Sequence, residues 1–287
     1  MNIIIGIIIL AASFIFAMLG LGGGMVYVPV INWAGYDMVS VAIPLGLLLN
    51  GLNTLFVLIP FARKKLVDWK GGAVMAGTAL VAAPLGAMTS GSVPVATLKL
   101  LFAAMVVAAA VRMMWSSKKA EPDKMLSLKK RSILGFFTGA FAGFVGGMLG
   151  LGGGFIIAPI LMAMGYKTKQ AAATTAFVVT FSSFSGYLGH MAEGQTNWIL
   201  TIIVVTAVVI GSQLGGMYMT RKAKSKQVKI IYAVVLFVIA FKMSFGAFKA
   251  MSASDDNQSG MINNNRPVHP STAVLNNTSQ TQTAIFN

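Results

Sequence analysis

The sequence predicts an all-α polytopic membrane protein made of two inverted-topology repeats, whose helices include glycine-broken half-helices. Three observations predict this fold class. Hydrophobic residues make up 56% of the 287 residues and charged residues only 10%, whereas soluble domains carry roughly 25% charged residues. Long apolar segments recur along the chain, and one glycine-rich motif occurs twice. A soluble protein of this size could not bury so much apolar surface, so the bilayer must solvate much of it.

The helical spans are predicted from the apolar segments, because a crossing needs about 20 predominantly apolar residues. Two apolar stretches, 25–34 and 155–165, are too short to cross alone, and each follows a glycine cluster. They are predicted to be half-helices, re-entrant segments or extensions of a broken helix. From Ser252 onward the sequence is polar and has no hydrophobic periodicity, which predicts a disordered tail. The long apolar segments cover residues 3–19, 39–61, 71–89, 95–115, 132–149, 169–189, 198–219 and 228–249.

The glycine motif belongs to an internal repeat. Residues 18–24 read Met-Leu-Gly-Leu-Gly-Gly-Gly, and residues 148–154 read the same. Pro29 follows the first copy at the same distance as Pro159 follows the second. The match runs along most of both halves, so it predicts two membrane repeats, a basic cytoplasmic linker between them and the polar tail. Their bounds are 1–117 for the first repeat, 118–131 for the linker, 132–250 for the second repeat and 251–287 for the tail.

Loop charges predict that the two repeats face opposite ways across the membrane. The loop after the second long segment carries Arg63, Lys64 and Lys65, whereas the equivalent loop at 190–197 has no Lys or Arg. The next pair of loops shows the reverse, since 89–94 is uncharged and its partner begins at Arg221 and is basic. Cytoplasmic loops are the basic ones, so the halves are inverted, as in many secondary transporters. This arrangement requires an odd number of crossings in each half; the alternative is a parallel arrangement of four and four.

Charge and composition exclude several classes of function. The net charge of +15 comes from short basic clusters between apolar runs, which indicates cytoplasmic loops rather than nucleic-acid binding. The chain has no cysteine and two histidines, too few for a convincing metal site. Ser185 and His190 are five residues apart and do not share a helix face, so they do not suggest a protease. The sequence therefore predicts no enzyme, no catalytic residue, no metal and no cofactor.

The two glycine clusters are the strongest candidates for a binding site. Consecutive glycines interrupt a helix, and the helix that follows presents free N–H groups and a positive dipole end to an anion. Two breaks from inverted halves would meet near the membrane midplane, where transporters bind their substrates. The alternative is close helix packing through small residues. The predicted ligands are Gly22, Gly23, Gly24, Gly152, Gly153 and Gly154.

Neutral polar side chains within the long segments are the second group of candidates. They can donate hydrogen bonds to an anion, although interhelical hydrogen bonds are the alternative. All seven acidic residues lie near loops or in the tail, which favours an anionic or neutral substrate and leaves proton coupling without an obvious carrier. His190 is expected to be a solvated histidine at the membrane edge. The candidates are Asn50, Asn53, Thr174, Thr175, Ser182 and Ser183.

These motifs resemble those of the TauE/SafE family of sulfite exporters over about residues 1–250. The resemblance lies in the glycine stretches 20–29 and 150–159 and in the Ala-Thr-rich segment 171–177 with Gly186-Tyr187 after it. It implies transport of a small sulfur-containing anion, such as sulfite, sulfoacetate or thiosulfate, across the bacterial inner membrane. It also implies an anion site at the glycine breaks and the nearby Asn and Thr side chains. The eight spans usual in the family conflict with an odd number of crossings per half.

Taken together, these observations predict a multi-pass secondary transporter that works by alternating access. The expected partners are a small anion, with or without a coupled proton, and the lipid bilayer. The oligomeric state stays open. An anion channel, or a transporter of an unrelated small solute, stays open as an alternative.

Overall fold

The computed structural model describes residues 2–117, 124–190, 198–221 and 237. Regular structure in this part of the chain is entirely helical. The predicted tail, 251–287, and most of the predicted last span, 228–249, lie outside the described residues. The helices are α1 (Asn2–Leu19), α2 (Gly24–Trp33), α3 (Ile43–Arg63), α4 (Trp69–Ser90), α5 (Val95–Ser117), α6 (Leu128–Leu149), α7 (Gly154–Ala163), α8 (Thr168–His190) and α9 (Trp198–Arg221).

Helix bounds agree closely with the apolar segments, because hydropathy sets the length of a span. Five segments are long and apolar enough to cross a membrane, while α7 and the apolar parts of α1 and α5 are shorter. A π-helical segment, Met38–Ala42, leads directly into α3 and lengthens that span. Helix α6 begins at Leu128, so the last residues of the predicted linker are helical. The five long segments are Met38–Arg63, Trp69–Ser90, Leu128–Leu149, Thr168–His190 and Trp198–Arg221.

Helix packing follows the repeat. Helix α4 packs on α6 and α8, and the equivalent helix α9 packs on α1 and α3. In the first set, a side chain at Gly143 or Gly147 would strike the backbone of Ala79 or Ala83 on α4. In the second set, a side chain at Gly211 of α9 would strike the backbone of α1. Glycine on one of the two helices lets the backbones approach closely, which is the usual basis of helix association in lipid.

The outer surface of the bundle is apolar. Phe137, Ile202 and Leu188 are each at least 64% exposed, although they are large hydrophobic side chains. Trp69 and Trp198, at the first residues of α4 and α9, are 49% and 72% exposed. Tryptophan at helix ends is typical of the membrane interface. The surface therefore has the character of one that faces lipid, and the polar side chains of α3 and α8 lie inside it.

Candidate functional site

The two glycine clusters form breaks of matching geometry. Break 1, residues 20–23, separates α1 from α2, and break 2, residues 150–153, separates α6 from α7. The backbone has a positive φ at Gly20 (+63°) and Gly22 (+68°), and again at Gly150 (+78°) and Gly152 (+65°). This left-handed region is open mainly to glycine. The duplicated motif therefore produces the same interruption of a helix in both halves.

The breaks touch each other where α2 and α7 begin. A Cβ atom built at Gly24 would lie 2.5 Å from the carbonyl oxygen of Gly150 and 3.0 Å from the Cα atom of Leu151. A Cβ atom at Gly154 would lie 2.5 Å from the carbonyl oxygen of Leu21 and 3.0 Å from its Cα atom. Leu21 and Leu151 are equivalent in the repeat, so each break makes the same contact with the other. We call this contact the glycine crossing.

Asn50 of α3 joins the two breaks. Its Oδ1 atom accepts a hydrogen bond of 2.8 Å from the backbone N–H of Gly24. Its Nδ2 atom donates to the carbonyl oxygen of Leu151 at 3.3 Å and to the Oγ atom of Ser183 at 2.8 Å. Asn50 is fully buried, and these bonds use its acceptor and both of its donors. In this conformation the side chain holds the crossing together, and a substrate would have to displace those bonds to reach its N–H groups.

The serine pair on α8 belongs to the same cluster. Ser182 Oγ donates a hydrogen bond of 2.7 Å to the carbonyl oxygen of Gly152. Ser183 Oγ accepts from Asn50, and a side chain at Gly152 would strike it. Four of the predicted groups, the glycines, Asn50, Ser182 and Ser183, are therefore brought together by α3, α8 and the breaks.

Asn53 lies one helical turn after Asn50 and bonds to residues that the sequence did not single out. Its Nδ2 atom donates to the hydroxyl of Tyr27 at 2.5 Å and to the carbonyl oxygen of Ser13 at 3.4 Å. The Tyr27 and Ser13 hydroxyls lie 2.7 Å apart. Tyr27 also packs against Gly23, where any side chain would overlap its ring. A tyrosine and a serine in otherwise apolar helices are the only sequence signals that point to this group.

The threonines of α8 lie elsewhere. Thr174 Oγ1 accepts a hydrogen bond of 3.1 Å from the backbone N–H of Asp68. It precedes Ser183 by nine residues, or roughly 13 Å along a helix, so the structure does not bring it to the crossing. Thr175 is fully buried, and its Oγ1 atom has no hydrogen-bond partner among the described residues.

A charged cluster surrounds Asp68 at the start of α4. Its Oδ1 atom caps α4 through the N–H of Gly71 at 2.9 Å, and its Oδ2 atom accepts from Arg131 and from the Tyr166 hydroxyl, the latter at 2.8 Å. Burial raises the pKa of the Asp68 carboxyl, but these hydrogen bonds and the Arg131 charge outweigh burial and hold the pKa below its usual value. Burial and the neighbouring carboxylate raise the pKa of Tyr166 to about 12. Sequence reasoning missed this cluster, because its members are far apart in the chain.

The expectation of a solvated His190 is wrong. The residue is 1% exposed, and its Nε2 atom lies 3.3 Å from the carbonyl oxygen of Gly147 on α6. Glycines on α6 and α8 allow the two helices to approach here, which encloses a side chain at the last residue of α8.

The space at the glycine crossing is narrow and apolar. Phe16, Met25 and Phe155 line it together with Leu21 and Leu151 of the two breaks, and it is too small to hold a water molecule. Neither Gly23 nor Gly153, the N-caps of α2 and α7, provides a side-chain cap. Unpaired N–H groups at helix N-termini attract anions. The site can thus offer backbone donors from two helices within apolar walls.

Comparison with known proteins identifies the family. The model of the family described as "Sulfite exporter TauE/SafE" matches residues 5–243. A probable membrane transporter protein of Bacillus subtilis is 24% identical over 266 residues, which cover 85% of this chain and 97% of the relative. A probable membrane transporter protein of Methanocaldococcus jannaschii is 25% identical, with 84% of this chain and 93% of the relative covered.

A shorter match reaches a plant protein. Sulfite exporter TauE/SafE family protein 2 of Arabidopsis thaliana is 29% identical over 111 residues, which are 37% of this chain and 24% of the plant protein. No solved structure matches the chain significantly. The family match covers most of the chain and both glycine breaks, and it agrees with the apolar helices described above. The chain therefore belongs to the TauE/SafE family and is a multi-pass membrane transporter protein rather than an enzyme.

Proposed function

We propose that this protein is a secondary transporter that moves a small anion across the bacterial inner membrane by alternating access. The glycine crossing is the binding site near the membrane midplane. The observation that carries the proposal is that two equivalent helix breaks, one from each repeat, contact each other through glycine backbone. Secondary transporters commonly bind their substrates where broken helices of inverted repeats meet. The equivalent packing of α4 and α9 supports the inverted relation of repeats 1–117 and 132–250.

The chemistry of the crossing favours an anion. Helices α2 and α7 begin at the crossing, and each brings uncapped backbone N–H groups and the positive end of its dipole. The acidic side chains of the described residues, Asp37 and Asp68, lie at helix starts rather than at the crossing. A cation would find no buried carboxylate among these residues, whereas cation transporters usually supply one.

Each predicted ligand has a role in this proposal. Backbone N–H groups of the two glycine triplets, 22–24 and 152–154, bind the anion directly. Asn50, Ser182 and Ser183 hold the empty crossing closed and exchange their present hydrogen bonds for bonds to the anion. Thr174 and Thr175 line the route along α8 between the crossing and the Asp68 end.

Alternating access fits the closed crossing better than a channel does. A channel needs a continuous polar path, but the space between Phe16, Met25 and Phe155 does not hold even one water molecule. An anion can enter only after the breaks separate on one side. The family description and the Arabidopsis relative name sulfite, so sulfite and small organosulfur anions such as sulfoacetate are the first substrates to test. A coupled proton is part of the proposal.

The test is anion flux into proteoliposomes that contain the purified full chain. Sulfite and sulfoacetate uptake is measured with a pH gradient, with a membrane potential and with neither, and protein-free liposomes give the background. Saturable uptake that responds to the pH gradient is the expected result. Non-saturable flux that follows only the electrochemical gradient would replace the transporter by a channel. No flux of any sulfur anion would show that the substrate class is wrong.

A further inference from the structure

One buried acceptor near break 1 is left without a hydrogen bond. Asn53 is fully buried, and both N–H bonds of its amide are used, on Tyr27 and on the Ser13 carbonyl. Its Oδ1 atom has no partner among the described residues. Leaving such an acceptor unpaired in a buried site costs about 1–3 kcal/mol, so this atom is prepared for a donor.

The orientation of the Asn53 amide follows from a chain of hydrogen bonds that ends on a backbone carbonyl. Ser13 Oγ donates to the carbonyl oxygen of Ile9 at 2.6 Å. Its hydroxyl hydrogen is therefore used, so at the 2.7 Å contact Ser13 accepts from the Tyr27 hydroxyl. Tyr27 has then donated its only hydrogen and can only accept from Asn53. This direction places the Nδ2 atom toward Tyr27 and leaves the Oδ1 atom unused.

The acceptor adjoins the glycine crossing and occurs once. Tyr27 packs on Gly23 of break 1, and Asn53 lies one turn from Asn50, which binds both breaks. In the second repeat the positions of Ser13, Tyr27 and Asn53 are occupied by Gly143, Ile157 and Ser183. No hydroxyl chain of this kind can form there.

We propose that Asn53 Oδ1 accepts a hydrogen bond from the transported anion, so that the transporter prefers small oxyanions that carry their own O–H donor. This inference rests on the proposed function and narrows its substrate class. Backbone N–H groups at the crossing bind the charged oxygens, and the acceptor binds the hydroxyl. An anion without a donor leaves the acceptor unpaired, and sites with a buried unpaired polar group reject such analogues. A hydroxyl on the substrate, including one gained by protonation, supplies the missing hydrogen.

The experiment compares two sulfonates that differ by one hydroxyl group. Isethionate (2-hydroxyethanesulfonate) carries a donor and ethanesulfonate does not, while both stay fully ionised near neutral pH. Uptake of each is measured in proteoliposomes under the same gradient. The native protein is expected to transport isethionate roughly 3- to 10-fold more efficiently, the effect of one hydrogen bond. Equal rates, or faster ethanesulfonate uptake, would overturn the inference and leave anion transport intact. Absence of all anion flux would instead remove the proposed function on which it rests.

Two variants locate the preference at Asn53 without replacing it. In Ser13→Ala the Tyr27 hydroxyl loses its acceptor and turns to the amide of Asn53, which rotates and uses its Oδ1 atom. In Tyr27→Phe the Nδ2 atom loses its partner and the amide no longer has a fixed direction. Both variants are expected to lower the isethionate-to-ethanesulfonate ratio to about 1.

The control variant is Thr206→Val, which removes a hydroxyl that bonds only within α9 at 2.8 Å. It should keep the native ratio. Because the ratio is taken within each variant, a smaller amount of folded protein lowers both rates equally and does not change it. A native ratio in both Ser13→Ala and Tyr27→Phe would contradict the assignment to Asn53.

Discussion

Alanine at the first residue of α2 or α7 should separate the glycine breaks and stop transport. The added methyl group of Gly154→Ala would lie 2.5 Å from the carbonyl oxygen of Leu21, whereas ordinary contacts begin at 3.4 Å. The breaks must therefore move apart by about 0.9 Å. Gly24→Ala makes the equivalent contact with Gly150. Neither glycine has a positive φ, so alanine tests the contact and not the backbone conformation.

The size of the effect follows from overpacking. Forcing a methyl group into a closely packed contact costs about 1–3 kcal/mol, which is measurable as a lower melting temperature in detergent. A displacement near 1 Å in a site built for precise contacts reduces rates by roughly 100-fold. We therefore expect a modest loss of stability and a large loss of sulfite flux in proteoliposomes. The matched control is Gly77→Ala in α4, where the added methyl group meets nothing within 4 Å.

The result that would refute this reasoning is native flux in both Gly24→Ala and Gly154→Ala. The crossing would then be neither the binding site nor a contact that transport requires. Gly153→Val, which the sequence alone suggested as a test of binding with insertion left intact, is less clean. Gly153 has a φ of +80°, and a side chain there would also strike the carbonyl oxygen of Ala142 on α6. A loss of transport in that variant could come from either cause.

Three further predictions concern the polar clusters. Asn50→Ala leaves the Gly24 N–H and the Leu151 carbonyl unpaired, so the unfolding free energy should fall by about 2–5 kcal/mol, measured by thermal unfolding against Thr206→Val. The folded pKa of Asp68 lies below its unfolded value, so its stabilisation is complete above about pH 4 and is lost as the pH falls further; a pH series of melting temperatures should show a smaller acid loss in Asp68→Asn. Tyr166 has a pKa raised to about 12, so its stabilisation is complete below about pH 10 and is lost as the pH rises toward 12. Tyr166→Phe should remove that alkaline step, and an unchanged step would assign it to another group.

Helix positions could be predicted because they depend on local composition. The apolar segments and the consecutive glycines are properties of neighbouring residues, so α1 to α9 begin and end near their expected bounds. The short helices α2 and α7 were expected for the same reason, since a glycine triplet interrupts a helix wherever it occurs. The contact of Gly24 with Gly150 is different, because it depends on how α2 and α7 approach each other. Duplication of the motif suggested a shared site but not which atoms meet.

The roles of individual polar side chains could not be predicted from sequence. Asn50 was expected to donate to a substrate, yet its hydrogen bonds go to Gly24, Leu151 and Ser183. His190 was expected to be solvated, yet it is buried beside Gly147. In both cases the partner is a backbone atom more than 25 residues away in the chain. Hydropathy places a polar residue in a span, but only packing determines whether its donors are free.

The ion pair between Asp68 and Arg131 makes the two ends of the bundle unequal. In the repeat the matching positions are occupied by Asn197 and Met1, so the second set of helix ends cannot form this pair. Under the proposed inverted arrangement, these two sets of helix ends lie on opposite sides of the membrane. The neighbouring basic residues, such as Lys70 and Lys130, place the ion pair on the cytoplasmic side. Opening that side must separate a partly buried pair, whereas opening the other side does not. Equivalent glycine breaks allow both states, and this pair favours the one that is closed to the cytoplasm.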